Sequence, residues 1–164
     1  MSAYSDLQAH LATINDLTNT LNILKWDMRT QMPPGGAKTR GQQMATLTRL
    51  IKDMFVSEKT ERLLDAAERE LHGADPDSYD VRAVQQTRQY YAIQSRIPAD
   101  LAAEMAALSP ESEHHWAEAR KNDDFAQFAP YLQQMLDLNK RMADAIGYED
   151  HPFDALLFEY EPSM

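Results

Sequence analysis

The sequence has no cysteine, only five glycines in 164 residues, and no run of apolar residues close to the ~20 that a membrane-spanning helix needs. Without cysteine there are no disulfides, thiolate metal sites or cysteine nucleophiles, a composition compatible with a reducing compartment. Positive charge is also scarce: 16 Lys and Arg stand against 26 Asp and Glu, a formal net charge of −10. The deficit is uneven, because residues 1–56 hold six basic and four acidic side chains while residues 57–164 hold ten and twenty-two. An acidic surface of that size disfavours nucleic acid and anionic membranes as partners. The opening MSAYSDLQAHLATINDL carries neither the basic flank nor the apolar run of a signal peptide, so the expected location is the cytoplasm. Hydrophobic residues at 43% and charged residues at 26% are those of an ordinary globular chain. A chain of this length fits one domain that buries about 70% of its unfolded surface.

What is present is helical periodicity. From Tyr4 to about Thr30, Leu7, Leu11, Ile14, Leu17, Leu21, Leu24 and Met28 recur at steps of three and four, the spacing of one helix face. That helix must stop before Pro33-Pro34, and MPPGG at 32–36 reads as a helical hairpin turn. Met44, Leu47, Leu50, Ile51, Met54 and Phe55 form the stripe of a second helix, which the short connection should fold back antiparallel to the first. Ser57 caps a third, carrying Leu63, Leu64, Ala67 and Leu71 and closed by Gly73. Asp75 and Pro76 offer a cap and first turn for a fourth, with Val81, Val84, Arg88 and Tyr91 on one face. Pro98 opens a fifth with Leu101, Met105 and Leu108, which Ser109-Pro110-Glu111 either kinks or restarts. Asp123-Asp124 precede a sixth, in which Leu132, Met135, Leu136, Met142 and Ile146 face one way and Gly147 is the stop. A short seventh begins at Pro152. No stretch alternates with period two. The expectation is an all-α chain: an antiparallel helical bundle of about six to seven helices with no sheet, as a single helical domain over residues 1–164.

Three constellations invite a chemical reading. Gly35-Gly36-Ala37-Lys38-Thr39 resembles a phosphate-gripping loop, but the earlier glycine of G-x-x-x-x-G-K-[ST] is missing and no strand precedes it. Its glycines serve a tight backbone path between two helices instead. Glu111-x-x-His114 places a carboxylate and an imidazole one turn apart, as a di-iron bundle requires, yet such a bundle needs the motif twice and it occurs once. His114 and His115 point about 100° apart on a helix and cannot chelate one metal together. His-Glu-x-x-His and G-x-S-x-G are both absent. The methionines fall largely on apolar stripes as core filling, and Trp26 beside Asp27 reads as an interface or groove residue or, as is commoner late in an amphipathic helix, a packing anchor.

Several ordered motifs together carry a resemblance. KWDMRTQMPPGGAKTRGQQMATLTRL (25–50) and WAEARKNDDFAQFAPYLQQMLDLNKRMADAIGYEDHPFDALLFEYEPSM (116–164) contain W-D with M-P-P-G-G, then W-x-x-A-R, F-A-P-x-L, G-Y-x-x-H-P and Y-E-P-x-M. The combination resembles the amino-terminal part of the carboxypeptidase Taq family of zinc metallocarboxypeptidases, across nearly the whole chain. The resemblance implies an all-helical, usually dimeric enzyme that removes single residues from peptide carboxyl termini. Its metal is held by His-Glu-x-x-His and a downstream glutamate, none of which occurs here.

By that resemblance, residues 1–164 form the amino-terminal scaffold and substrate-groove wall of a longer metallocarboxypeptidase. The chain alone is expected to be inactive, with no catalytic, cofactor-binding or metal-binding residue of its own. Zinc or another divalent metal, a peptide substrate and homodimer formation are implied for the full-length parent. His151-Pro152-Phe153 matches a substrate-site motif of the family in letters only. It follows Gly147-Tyr148 and lacks the Asp-x-Arg-x-Thr that should come after it, so it takes no catalytic role. Pro110 departs from the family pattern and bears on local helix geometry. Trp26, Met28, Phe153, Leu156, Leu157 and Phe158 are expected to lack partners within the chain. The rival reading is a stand-alone helical protein-interaction module.

Overall fold

The computed structural model describes residues 2–158 and 160. Among them are seven α-helices and no strand: α1 (Ala3–Thr30), α2 (Ala37–Phe55), α3 (Glu58–Glu70), α4 (Tyr79–Arg96), α5 (Ala99–Lys121), α6 (Phe125–Ile146) and α7 (Pro152–Leu157), with a 3₁₀ turn at Pro34–Gly36. The all-α expectation holds. The chain divides into two compact units, Met1–Ala92 and Ile93–Met164, and α4 runs across the division.

In the first unit the stripe read from sequence is the buried face of α1: Leu7, Ile14 and Leu21 are buried, and Leu11, Leu17, Leu24 and Met28 half-buried. The Ser2 hydroxyl caps the helix by accepting the Ser5 N–H. Glu70, at the end of α3, accepts the Ala3 N–H at 2.5 Å and places its carboxylate at the positive end of the α1 dipole. Helices α1 and α2 are antiparallel, because Arg40 at the start of α2 meets Asp27 while the Met54 carbonyl at its end lies near His10 through Thr60. Leu7, Leu64, Ala67 and Val84 form the core that joins α1, α3 and α4. Arg88 on α4 reaches Asp65 and Glu68 on α3 at 2.5 and 2.8 Å, and these two carboxylates push its guanidinium pKa further up.

Three local expectations differ from the structure. Leu50, expected on the apolar stripe of α2, is exposed. Helix α4 starts at Tyr79 rather than at Asp75-Pro76. There the Asp75 carboxylate accepts the Asp77 N–H and its carbonyl the Ser78 N–H, both at 3.0 Å, a side-chain-stabilised turn that competes with helix. Ser109-Pro110-Glu111 does not restart a helix, for α5 runs through it from Ala99 to Lys121.

In the second unit α5 and α6 are antiparallel neighbours. Ile97 packs with Ala143 and Ile146, Leu101 and Leu108 pack with Leu138, and Glu104 takes a two-pronged contact from Arg141 at 2.6 and 3.2 Å. Leu136, expected on the inner face of α6, is exposed, while Leu138 and Ala143 are buried. Asp123 closes the α5–α6 connection at φ +52°, and Asp124 caps α6 by accepting the Gln127 N–H. Gly147 ends α6 at φ +89°, a left-handed conformation that glycine adopts without strain. The Arg96 guanidinium donates to the Ile146 carbonyl at 2.8 Å, a cation at the negative end of a helix. No helix among the described residues is long and apolar enough to cross a membrane.

Candidate functional site

The segment Lys25–Arg40 builds the closed end of the α1–α2 hairpin. The Asp27 carbonyl receives the Gln31 and Met32 N–H groups at 2.9 Å each, which finishes α1. The Gly36 N–H then bonds to the Pro33 carbonyl at 2.9 Å, so this amide is used within the turn and does not face a phosphate. A Cβ on Gly36 would stand 3.2 Å from Met32 Cγ, so the glycine admits that side chain. Across the turn Arg40 makes an ion pair with Asp27, donates to the Leu24 carbonyl at 3.2 Å and donates to Gln43 Oε1 at 3.2 Å. One guanidinium therefore ties the last turn of α1 to the first turns of α2. A shallow groove of about 510 Å³, lined by Leu24, Thr39, Gln42, Gln43, Thr46 and Leu47, runs beside this tie. Ile23 and Trp26, three residues apart on α1, are 64% and 60% exposed, which overturns the packing-anchor reading of Trp26 and leaves the interface or groove reading. The site offers apolar surface and hydrogen-bonding groups held on a hydrogen-bonded turn, which is the chemistry of binding and support.

The remaining sequence candidates take structural places. Glu111 and His114 lie exposed on α5, while His115 stacks on Tyr131 of α6 with centroids 3.9 Å apart and planes 14° from parallel. His114 meets His115 edge-on at 5.5 Å, and Arg120 lies over the Trp116 ring at 5.2 Å. Among the described residues no group of three His, Cys, Asp or Glu side chains could hold a metal ion. The donor set among the described residues thus does not fit the metal that the resemblance implies, and no chemical step runs through one here. His151 is the N-cap of α7: its Nδ1 accepts the Phe153 N–H at 3.2 Å, and Asp154 returns a contact to the His151 N–H at 3.0 Å. Of the six apolar side chains expected to lack partners, Trp26 and Phe153 are exposed, while Met28, Leu156, Leu157 and Phe158 are half-buried.

Sequence reasoning missed two contacts in the first unit. The Asp27–Arg40 tie had a signal in the opposite charges flanking a hairpin turn. His10 had one too, since it falls at helical spacing between Leu7 and Ile14. It is 7% exposed and bonded to Thr60 Oγ1 at 2.9 Å. Burial, with the Lys59 charge adding to it, holds the imidazole pKa below its ordinary value.

Comparison with known proteins places this arrangement. The chain is 30% identical over 154 residues to carboxypeptidase 1 of Bacillus subtilis, covering 94% of this chain and 30% of that protein. It is 34% identical over 172 residues to thermostable carboxypeptidase 1 of Thermus thermophilus, covering 99% and 34%. The chain thus spans about a third of the length of these curated relatives. Among solved structures, a Pyrococcus furiosus carboxypeptidase aligns with a TM-score of 0.85 at 26% identity, over 100% of this chain and 32% of that one. The BsuCP crystal structure aligns with a TM-score of 0.84 at 28% identity, over 99% and 32%. The family profile described as carboxypeptidase Taq (M32) metallopeptidase matches residues 6–164, and the chain belongs to that family.

Proposed function

We propose that this chain is the amino-terminal helical scaffold and substrate-groove wall of a metallocarboxypeptidase that removes single residues from peptide carboxyl termini. The carrying observation is the family match over residues 6–164 together with coverage of about a third of the relatives' length. The parent takes a peptide substrate and zinc or another divalent metal, acts in the cytoplasm and forms a homodimer. The 164 residues act as one helical domain within it and are inactive alone, since the sequence lacks His-Glu-x-x-His.

Ile23 and Trp26, exposed one turn apart on α1, support a docked rather than a free-standing role. Large apolar side chains grouped at a surface usually find a partner. Light scattering at micromolar concentration checks this, with self-association of the 164-residue chain as the expected result. A clean monomer would favour the stand-alone interaction module. Reading the gene beyond the Met164 codon separates the two directly: an open frame that reaches His-Glu-x-x-His supports the scaffold, and an immediate stop codon refutes it.

A further inference from the structure

We infer that His10 is an acid-sensitive latch, held as the neutral Nε2–H tautomer, that fastens α1 to the junction of α2 and α3. The hydrogen bonds around the ring support that tautomer. Thr60 Oγ1 donates to the Met54 carbonyl at 2.9 Å, and Ser57 Oγ donates to the same carbonyl at 2.7 Å. With the Thr60 hydroxyl proton on the Met54 carbonyl, and the proton of Ser57 Oγ, 3.1 Å from Thr60 Oγ1, on the same carbonyl, Thr60 Oγ1 accepts at its 2.9 Å contact with His10 and the hydrogen sits on Nε2. The Ser57 oxygen in turn accepts the Thr60 N–H and caps α3. His10, Thr60, Ser57 and the Met54 carbonyl are thus one chain of contacts through which three helices meet.

Adding a second proton to this imidazole introduces a charge where the surroundings oppose it. His10 and Thr60 are both buried. On α3 the charged group acting on the ring is the Lys59 ammonium, of the same sign. On α2 the Met54 carbonyl favours the charged form, but less strongly than burial and Lys59 disfavour it. Lys52 of α2 is half-buried, and Asp6 of α1, Asp53 of α2 and Glu58 and Glu61 of α3 are solvent-exposed. The folded pKa lies below the unfolded one, so the unfolded chain takes up the proton first as pH falls. Stability from this joint is complete above the ordinary histidine pKa of about 6.5 and declines as pH drops toward the folded value. Acid therefore weakens the joint between α1 and α3.

Two measurements on the intact chain test the latch. Long-range ¹H–¹⁵N correlation at pH 7.5 should show His10 protonated at Nε2 alone; a proton on Nδ1 overturns the inference. Amide hydrogen exchange, corrected for its intrinsic pH dependence, should show severalfold loss of protection at α1 and α3 amides between pH 7.5 and 5, against little change in α5 and α6. His10→Gln should remove that difference. Lys59→Gln, a change at an exposed site that leaves the core intact, should shrink it. An unaltered pH profile in Lys59→Gln, or equal loss in α5 and α6, refutes the latch even if His10→Gln fails to fold.

Discussion

Breaking the Asp27–Arg40 tie should loosen the hairpin end more than loss of a surface ion pair would. Exposed pairs contribute about 0.2–1 kcal/mol. Here the Arg40 and Asp27 side chains are 19% and 33% exposed, and the guanidinium also donates to the Leu24 carbonyl and Gln43. Charge-assisted bonds are roughly twice as strong as neutral ones, so the Asp27–Arg40 coupling energy should be about 1 kcal/mol. Arg40→Ala alone should be worse, about 2 kcal/mol, because it strips the Leu24 carbonyl and leaves a half-buried carboxylate unpaired. The assay is a double-mutant cycle of Asp27→Asn and Arg40→Ala in urea, in a Trp116→Phe background so that Trp26 reports on the first unit alone. That background matters because two compact units need not unfold in one step. Raising salt should weaken the coupling only in part, as expected for a pair withdrawn from solvent. Coupling under about 0.3 kcal/mol, the additivity error of independent sites, would refute the tie.

Gly41 is exposed within α2 and a Cβ there meets nothing within 4 Å, so Gly41→Ala should stabilise by about 0.5–1 kcal/mol in thermal melts; a loss would mean that the bare backbone is used. At Asp123, with φ +52°, urea midpoints should rank glycine at or above aspartate and alanine lowest, the alanine variant losing about 1 kcal/mol; an alanine variant equal to the wild type would contradict the left-handed backbone. Replacing Pro33 and Pro34 with alanine should lower stability by about 0.5–1 kcal/mol each through added freedom in the unfolded chain, and an unchanged melting curve would remove the prolines from any structural role.

Periodicity made the helices legible because a stripe at steps of three and four has one stable way to be buried. Ser57 and Asp124 cap helices with their side chains, and Gly147 ends α6 because it has none. Less legible were places where a polar group competes with helix, as at Asp75, or where a neighbouring helix decides exposure, as at Leu136 against Leu138. Contacts between distant residues, such as His115 on Tyr131, have no local signal at all. The hairpin end shows the same division. MPPGG announces a turn, but only the path of α2 reveals that Arg40 returns to Asp27 and that Trp26 is left outside.

The measurement closest to the central claim is a carboxypeptidase assay of the purified 164-residue chain, given a peptide with a free carboxyl terminus and supplied in turn with zinc, cobalt and magnesium. A scaffold without metal ligands releases no amino acid under any of these conditions, and chelator changes nothing. Release of carboxyl-terminal residues that depends on the metal and stops with chelator would contradict the account.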